Sequence, residues 1–136
     1  MLACVCLNPS FDRTVSLRSF TVGDVNRVLS ARQDVGGKGI NVAITARRLG
    51  IASCVLGCAG KNGIDAVRRK LDGEQVTHVF LPVDGDVRTN IKIVPQDGTV
   101  VTELNESGAP VNAANQRAFS DLLVEKTVAE QYVVLT

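Results

Sequence analysis

The stretch Asp34-Val35-Gly36-Gly37-Lys38-Gly39-Ile40-Asn41-Val42-Ala43 sets three glycines around one lysine, directly before an apolar run. Such a pattern predicts a helix start at the end of a strand. A helix N-terminus offers unpaired backbone N–H groups and the positive end of the macrodipole, and glycines let a ligand approach the backbone. Lys38 adds a full positive charge. Two familiar phosphate loops are excluded. A P-loop requires Ser or Thr after its lysine, where this chain has Gly39, and a dinucleotide fingerprint requires a third glycine where it has Val42. The remaining readings are a loop suited to a sugar phosphate, or a tight strand-to-helix turn with a solvated lysine.

Working outward, the periodicities predict a strand at Leu2 to Leu7, a turn at Asn8-Pro9 and an alternating stretch from Thr14 to Phe20. A break at Gly23-Asp24 and an extended stretch from Asn26 to Asp34 lead to the glycine loop. Ile40 to Leu49 reads as a helix, with Arg47 and Arg48 at its negative end and Gly50 as its cap. A strand at Ala52 to Leu56, a glycine turn at Gly57 to Gly63, a helix from Ile64 to Leu71 and a strand near Val79 to Val83 follow. This alternation predicts an α/β fold with a largely parallel sheet. Two segments stand apart from it. In Val87 to Val94, Val87, Thr89, Ile91 and Ile93 share one face and Arg88, Asn90 and Lys92 the other. With the turn Pro95-Gln96-Asp97-Gly98 and Thr99 to Leu104 this makes a β-hairpin, which with Thr14 to Asp34 can form a small separate sheet. Asn115 to Val128 reads as an amphipathic helix with Asp121 on its solvated side, and Tyr132 to Thr136 as a final strand.

The 136 residues carry 15 Lys and Arg against 14 Asp and Glu, a formal charge of +1. That balance gives no basis for nucleic-acid or membrane-surface binding, so a small, locally recognised partner is expected. No run approaches the ~18 apolar residues of a spanning helix, and Met1 leads straight into a strand, so a cytoplasmic location is expected. Cys4 and Cys6 alternate on one strand, while Cys54 and Cys58 flank another, without finger-like spacing. They read as reduced, buried small hydrophobes rather than metal ligands. His78, the single histidine, reads as a strand-edge residue rather than a base.

Four segments together resemble the ribokinase-like carbohydrate kinases, in the phosphofructokinase B branch that includes 1-phosphofructokinase and tagatose-6-phosphate kinase. They are Leu7-Asn8-Pro9-Ser10-Phe11-Asp12, Gly36 to Ala43, Gly57 to Gly63, and Val87-Arg88-Thr89-Asn90-Ile91-Lys92. Two positions depart from the pattern, Asn62 for an aspartate and Ala66 for a glycine. The resemblance implies the N-terminal part of a three-layer α/β/α ribokinase-like fold, with lid strands at about 14–34 and 87–105. It also implies a homodimer paired through that lid. The activity implied is ATP-dependent phosphorylation of fructose 1-phosphate to fructose 1,6-bisphosphate, with tagatose 6-phosphate the alternative substrate. A non-catalytic sugar-phosphate-binding or dimerisation module is the competing reading.

Phosphoryl transfer needs an oriented hydroxyl, neutralised phosphates, Mg2+ and a base. Asp12 is assigned by resemblance to two neighbouring sugar hydroxyls; its local alternative is an Asx-type turn. Asn41, in the first helical turn, can bridge a hydroxyl or serve as a cap. Lys38, within Gly36-Gly37-Lys38, and Arg88 suit a phosphate already on the substrate, with Asn90 on the same face as Arg88. The base is expected beyond residue 136, since family members are about twice as long and carry it near their C-terminus. ATP and Mg2+ are accordingly expected to bind mainly there, no metal site is expected in this chain, and residues 1–136 alone are expected to be inactive.

Overall fold

The computed structural model describes residues 1–98, 100–127 and 132–136. Its elements are β1 (Leu2–Cys6), β2 (Ser10–Leu17), β3 (Val28–Gly36), α1 (Lys38–Arg48), β4 (Ser53–Asn62), α2 (Ile64–Gly73), β5 (Thr77–Asp86), β6 (Arg88–Pro95), β7 (Thr102–Asn105), α3 (Ala113–Lys126) and β8 (Tyr132–Leu135). They build two four-stranded sheets, one in the order β5-β4-β1-β8 and one in the order β3-β2-β6-β7.

The first sheet is parallel throughout, and the apolar runs of its central strands β1 and β4 are buried on both faces. Alternation along β1 sends Cys4 and Cys6 to one face and Val5 to the other. The Cys4 face packs against Ile40, Ala43 and Ile44 of α1 and Ile64, Val67 and Leu71 of α2. The Val5 face joins Leu56, Cys58 and Val83 under Phe119 of α3. The result is a three-layer α/β/α sandwich. Ile40, Val67 and Leu71 are fully buried, each contributing about 1.5–3 kcal/mol of transfer free energy.

Several boundaries differ from the sequence reading. Strand β2 runs Ser10–Leu17 rather than Thr14 to Phe20, β3 Val28–Gly36 rather than Asn26 to Asp34, and β7 Thr102–Asn105 rather than Thr99 to Leu104. The glycine turn expected at Gly57 to Gly63 is the second half of β4 up to Asn62, which pairs with β5 through Asp86. Gly57 lies beside Cys6 and under the Phe80 ring, so its missing side chain serves close packing within a strand. Strand β5 extends past the expected Val83 for the same reason. Helix α1 starts at Lys38, two residues early, and α3 starts at Ala113, where Asn112 and Asn115 bond each other in a reciprocal cap. Thr99, at the expected start of the hairpin's second strand, and Val128, at the expected end of the last helix, lie outside the described residues.

The second sheet is mixed. β2 pairs antiparallel with β3 and parallel with β6, and β6 pairs antiparallel with β7. Its alternation is clean: Val15, Leu17 and Ile93 are buried in a small cluster with Phe20 and Ile91, while the opposite face carries polar side chains. This sheet grows from the C-terminal ends of the parallel strands. β1 runs into β2 across Leu7-Asn8-Pro9, and β5 into β6 across the single buried residue Val87, whose N–H donates to Asn62 O at 2.9 Å. That edge is where open α/β sheets bind ligands.

Candidate functional site

Ser10, Asp12 and Thr14 lie on the polar face of β2, and pairing sets Arg88 beside Ser10, Asn90 beside Asp12 and Lys92 beside Thr14. On the other flank Gly36 pairs with Ser10 and Asp34 with Asp12. The half-buried Asp12 carboxylate is therefore held by its neighbours. Its Oδ1 accepts from Ser10 Oγ at 2.8 Å and from Asn90 Nδ2 at 2.9 Å. Oδ2 is left over the Cα of Gly36, where any Cβ would collide with it. Gly36 thus makes room for Asp12, and Gly37, with φ of 129°, turns the chain into α1 in a conformation that favours glycine.

At the start of α1 the first closed bond runs from Asn41 N–H to Gly37 O at 2.9 Å, and no side chain caps the helix. The N–H groups of Ile40 and Gly39 turn towards the Cys6 sulfur. Burial pushes the Cys6 thiol up, and these groups, with the N–H of Asn8 and the charge of Arg88, partly offset that push. The glycine loop is therefore less open than a bare helix N-terminus. Its charge is carried by the exposed Lys38 side chain, which makes no hydrogen bond or ion pair among the described residues.

Lys38 and Arg88 border one cleft, with Cys6, Leu7, Asn8 and Thr136 as its other walls. Arg88 Nη1 donates to Glu106 O at 3.4 Å, and its Nε is buried without a partner. Asn90 and Asp12 border the adjoining cavity with Thr14, Lys92, Glu103 and Asn105. Arg88 and Asn90, two residues apart on β6, stand about 7 Å apart along the strand. Buried polar atoms are normally bonded. Of the three unpartnered ones among the described residues, Arg88 Nε and Asn90 Oδ1 lie here, and the third, His78 Nε2, lies on the edge strand β5.

Asp12, Gly36, Gly37, Lys38, Arg88 and Asn90 thus come together at one edge of the fold. Asn41, in the first turn of α1, does not cap the helix; it is exposed and borders a groove with Val42, Thr45, Leu49 and Ile51. Nor is Asp12 a turn residue, since it lies inside β2. Ser10, Asn8 and Asn105 are not singled out as site residues by the sequence pattern. Parity along β2 could have flagged Ser10, two positions before Asp12. Asn8 Nδ2 donates to Ser107 O at 2.9 Å, a contact between residues 99 apart that no local pattern signals.

All four cysteines are free and buried, and no group of three or more His, Cys, Asp and Glu suited to a metal occurs among the described residues. His78 is held below its ordinary range by burial, with Asp72 3.7 Å away. No helix among the described residues is long and apolar enough to cross a membrane.

Comparison with known proteins identifies the family and the fold. Residues 6–136 match the model of the pfkB family of carbohydrate kinases. A 1-phosphofructokinase of Rhodobacter capsulatus is 35% identical over 124 residues, 91% of this chain and 39% of that protein. One of Bacillus subtilis is 36% identical over 119 residues, 88% of this chain and 38% of that protein. Escherichia coli phosphofructokinase-2, solved in complex with fructose 6-phosphate, superposes with a TM-score of 0.89 at 20% identity, over 99% of this chain and 44% of that one; this likeness shows the fold. The chain spans about two fifths of the length of the relatives it matches. On the family match over nearly all of its length, the chain belongs to the pfkB family of carbohydrate kinases, with the N-terminal part of their ribokinase-like α/β/α fold.

Proposed function

We propose that this chain is the substrate-binding part of an ATP-dependent sugar-phosphate kinase that converts fructose 1-phosphate to fructose 1,6-bisphosphate. The observation that carries this reading is the pair of cations, Lys38 and Arg88, sharing a cleft whose described lining holds no Asp or Glu side chain, on the same sheet edge as the Asp12 and Asn90 pair. An existing phosphate suits the cations, and vicinal hydroxyls suit the Asp12 carboxylate. The names and identities of the relatives favour fructose 1-phosphate over tagatose 6-phosphate.

In this reading the second sheet, with Asp12, Asn90 and Arg88 on its polar face, is the lid over the sugar. Asp12 orients the reacting hydroxyl, held by Ser10 and Asn90, and does not remove its proton. The base and most of the contacts to ATP and Mg2+ belong to the part of the protein beyond residue 136; Mg2+ would neutralise the phosphates when bound. Residues 1–136 alone are then inactive. A pairing of two copies through the lid is supported by the exposed Val28, Leu29 and Leu104 of β3 and β7. Four free cysteines suit a reducing compartment such as the cytoplasm.

The test is calorimetric, on the complete polypeptide. Lys38→Ala and Arg88→Ala should each weaken fructose 1-phosphate binding by about 1.5–3 kcal/mol, the scale of a charge-assisted hydrogen bond, and leave ATP affinity unchanged. Equal losses for ATP and sugar phosphate would overturn the assignment.

A further inference from the structure

The cavity that holds Asp12 has one polar wall for which neither the folding of β7 nor the residues discussed so far have a use. Strand register sets Asn105 opposite Asn90, and Asn90 opposite Asp12, so three side chains form one row across β2, β6 and β7 on the polar face. All three border the same cavity. Their hydrogen-bonding capacity is unequally used. Asp12 Oδ1 is filled twice, whereas Asn90 spends its Nδ2 on Asp12 and leaves a buried Oδ1 unpartnered. The Asn105 amide makes no hydrogen bond among the described residues. In the next row Lys92 and Glu103 pair at 3.0 Å and close that end of the cavity. A buried amide oxygen without a donor calls for a hydroxyl, and an amide beside it adds both a donor and an acceptor.

We propose that Asn105 is a further sugar-binding residue, which with Asn90 Oδ1 recognises a hydroxyl of the substrate next to those on Asp12 and so selects among hexose phosphates by configuration. The inference rests on the reading of Asp12 as the sugar ligand. It adds a determinant on the edge strand β7, whose length beyond the hairpin turn decides whether residue 105 reaches the row at all. A site built to bond a hydroxyl rejects an analogue lacking it, because the site's own polar groups are then left unpaired.

The experiment compares wild type, Asn105→Ala and Asn105→Thr in the complete polypeptide, with Asp12→Asn as the control for the site. Threonine suits an edge strand and keeps one hydroxyl donor, so it guards against a β7 that fails to form. The readouts are KM for fructose 1-phosphate, for a series of its monodeoxy analogues and for ATP. Asn105→Ala should raise the sugar-phosphate KM about tenfold, as expected for one lost hydrogen bond, with ATP KM and kcat within about twofold. Asn105→Thr should lie between the two. One monodeoxy analogue should lose as much with wild type as the alanine variant does, and lose nothing more with that variant. Should Asp12→Asn weaken sugar binding while both Asn105 variants match wild type, this inference fails and the site reading stands. If Asp12→Asn has no effect on sugar binding, both fail. A uniform loss over every analogue, with no deoxy position insensitive to Asn105→Ala, would make Asn105 a merely structural strand residue and overturn the proposal.

Discussion

Gly36→Ala adds one methyl group at a position with an ordinary backbone conformation, so its effect is purely steric. An ideal Cβ there collides with Asp12 Oδ2 and lies 2.7 Å from Asp12 Cγ and 2.9 Å from Ser10 Oγ. The strand cannot retreat, because Gly36 is fixed by its pairing with Ser10 at the end of the β2–β3 ladder and by the start of α1 two residues later. Asp12 must therefore rotate and give up its bonds at 2.8 and 2.9 Å from Ser10 and Asn90. Two hydrogen bonds to a charged acceptor set an upper bound of about 3–6 kcal/mol. Water reaching the half-buried carboxylate brings the stability loss to about 2–3 kcal/mol, or roughly 5–10 °C in Tm for a chain of this size. Because the displaced carboxylate no longer meets the sugar, fructose 1-phosphate binding by the complete polypeptide should fall roughly 30–100-fold. Calorimetry and thermal unfolding measure both effects. The variants Asp12→Ala and Asp12→Ala with Gly36→Ala should bind equally weakly, since the methyl acts only through Asp12. Wild-type sugar affinity in Gly36→Ala, or additive losses in the pair, would refute the steric reasoning.

Two further outcomes follow from the same geometry. Burial, reinforced by Cys54 and Cys6, pushes the Cys4 thiol from 9.0 up to about 11; the folded state thus disfavours the thiolate, and its stability is intact below pH 9 and lost as pH rises towards 11, by about 2–3 kcal/mol. Urea unfolding should show that loss in wild type and a smaller one in Cys4→Ala, where burial still pushes up the thiols of Cys6, Cys54 and Cys58, and Ellman's reagent at pH 8 should label the cysteines only after denaturation; rapid native labelling would contradict their burial. Asp12→Asn in the complete polypeptide should raise the sugar-phosphate KM strongly and lower kcat only modestly; abolished turnover with unchanged binding would make Asp12 the catalytic group.

What was legible in the sequence was whatever depends on short-range pattern. Period-two alternation in Val87 to Val94 assigned Arg88, Asn90 and Lys92 to one face, and β6 presents them so. Glycines before an apolar run marked the start of α1 to within two residues. Glycines inside β4 misled for a physical reason. Gly57 and Gly60 permit close approach of Cys6 with Phe80 and of the Asp86–Val87 backbone, a tertiary demand that looks in sequence like a turn. Asn105 escaped because its meaning comes from register across β6, set by a hairpin whose expected second strand ended one residue short of it.

The most direct test of the central claim is phosphoryl transfer by the complete polypeptide, measured as kcat/KM with ATP and Mg2+ over fructose 1-phosphate, tagatose 6-phosphate, fructose 6-phosphate and free fructose. The account predicts the highest value for fructose 1-phosphate and at least about a hundredfold lower value for free fructose, the share of binding due to Lys38 and Arg88. Equal or better turnover of the unphosphorylated sugar, or no ATP-dependent transfer to any of the four, would contradict it.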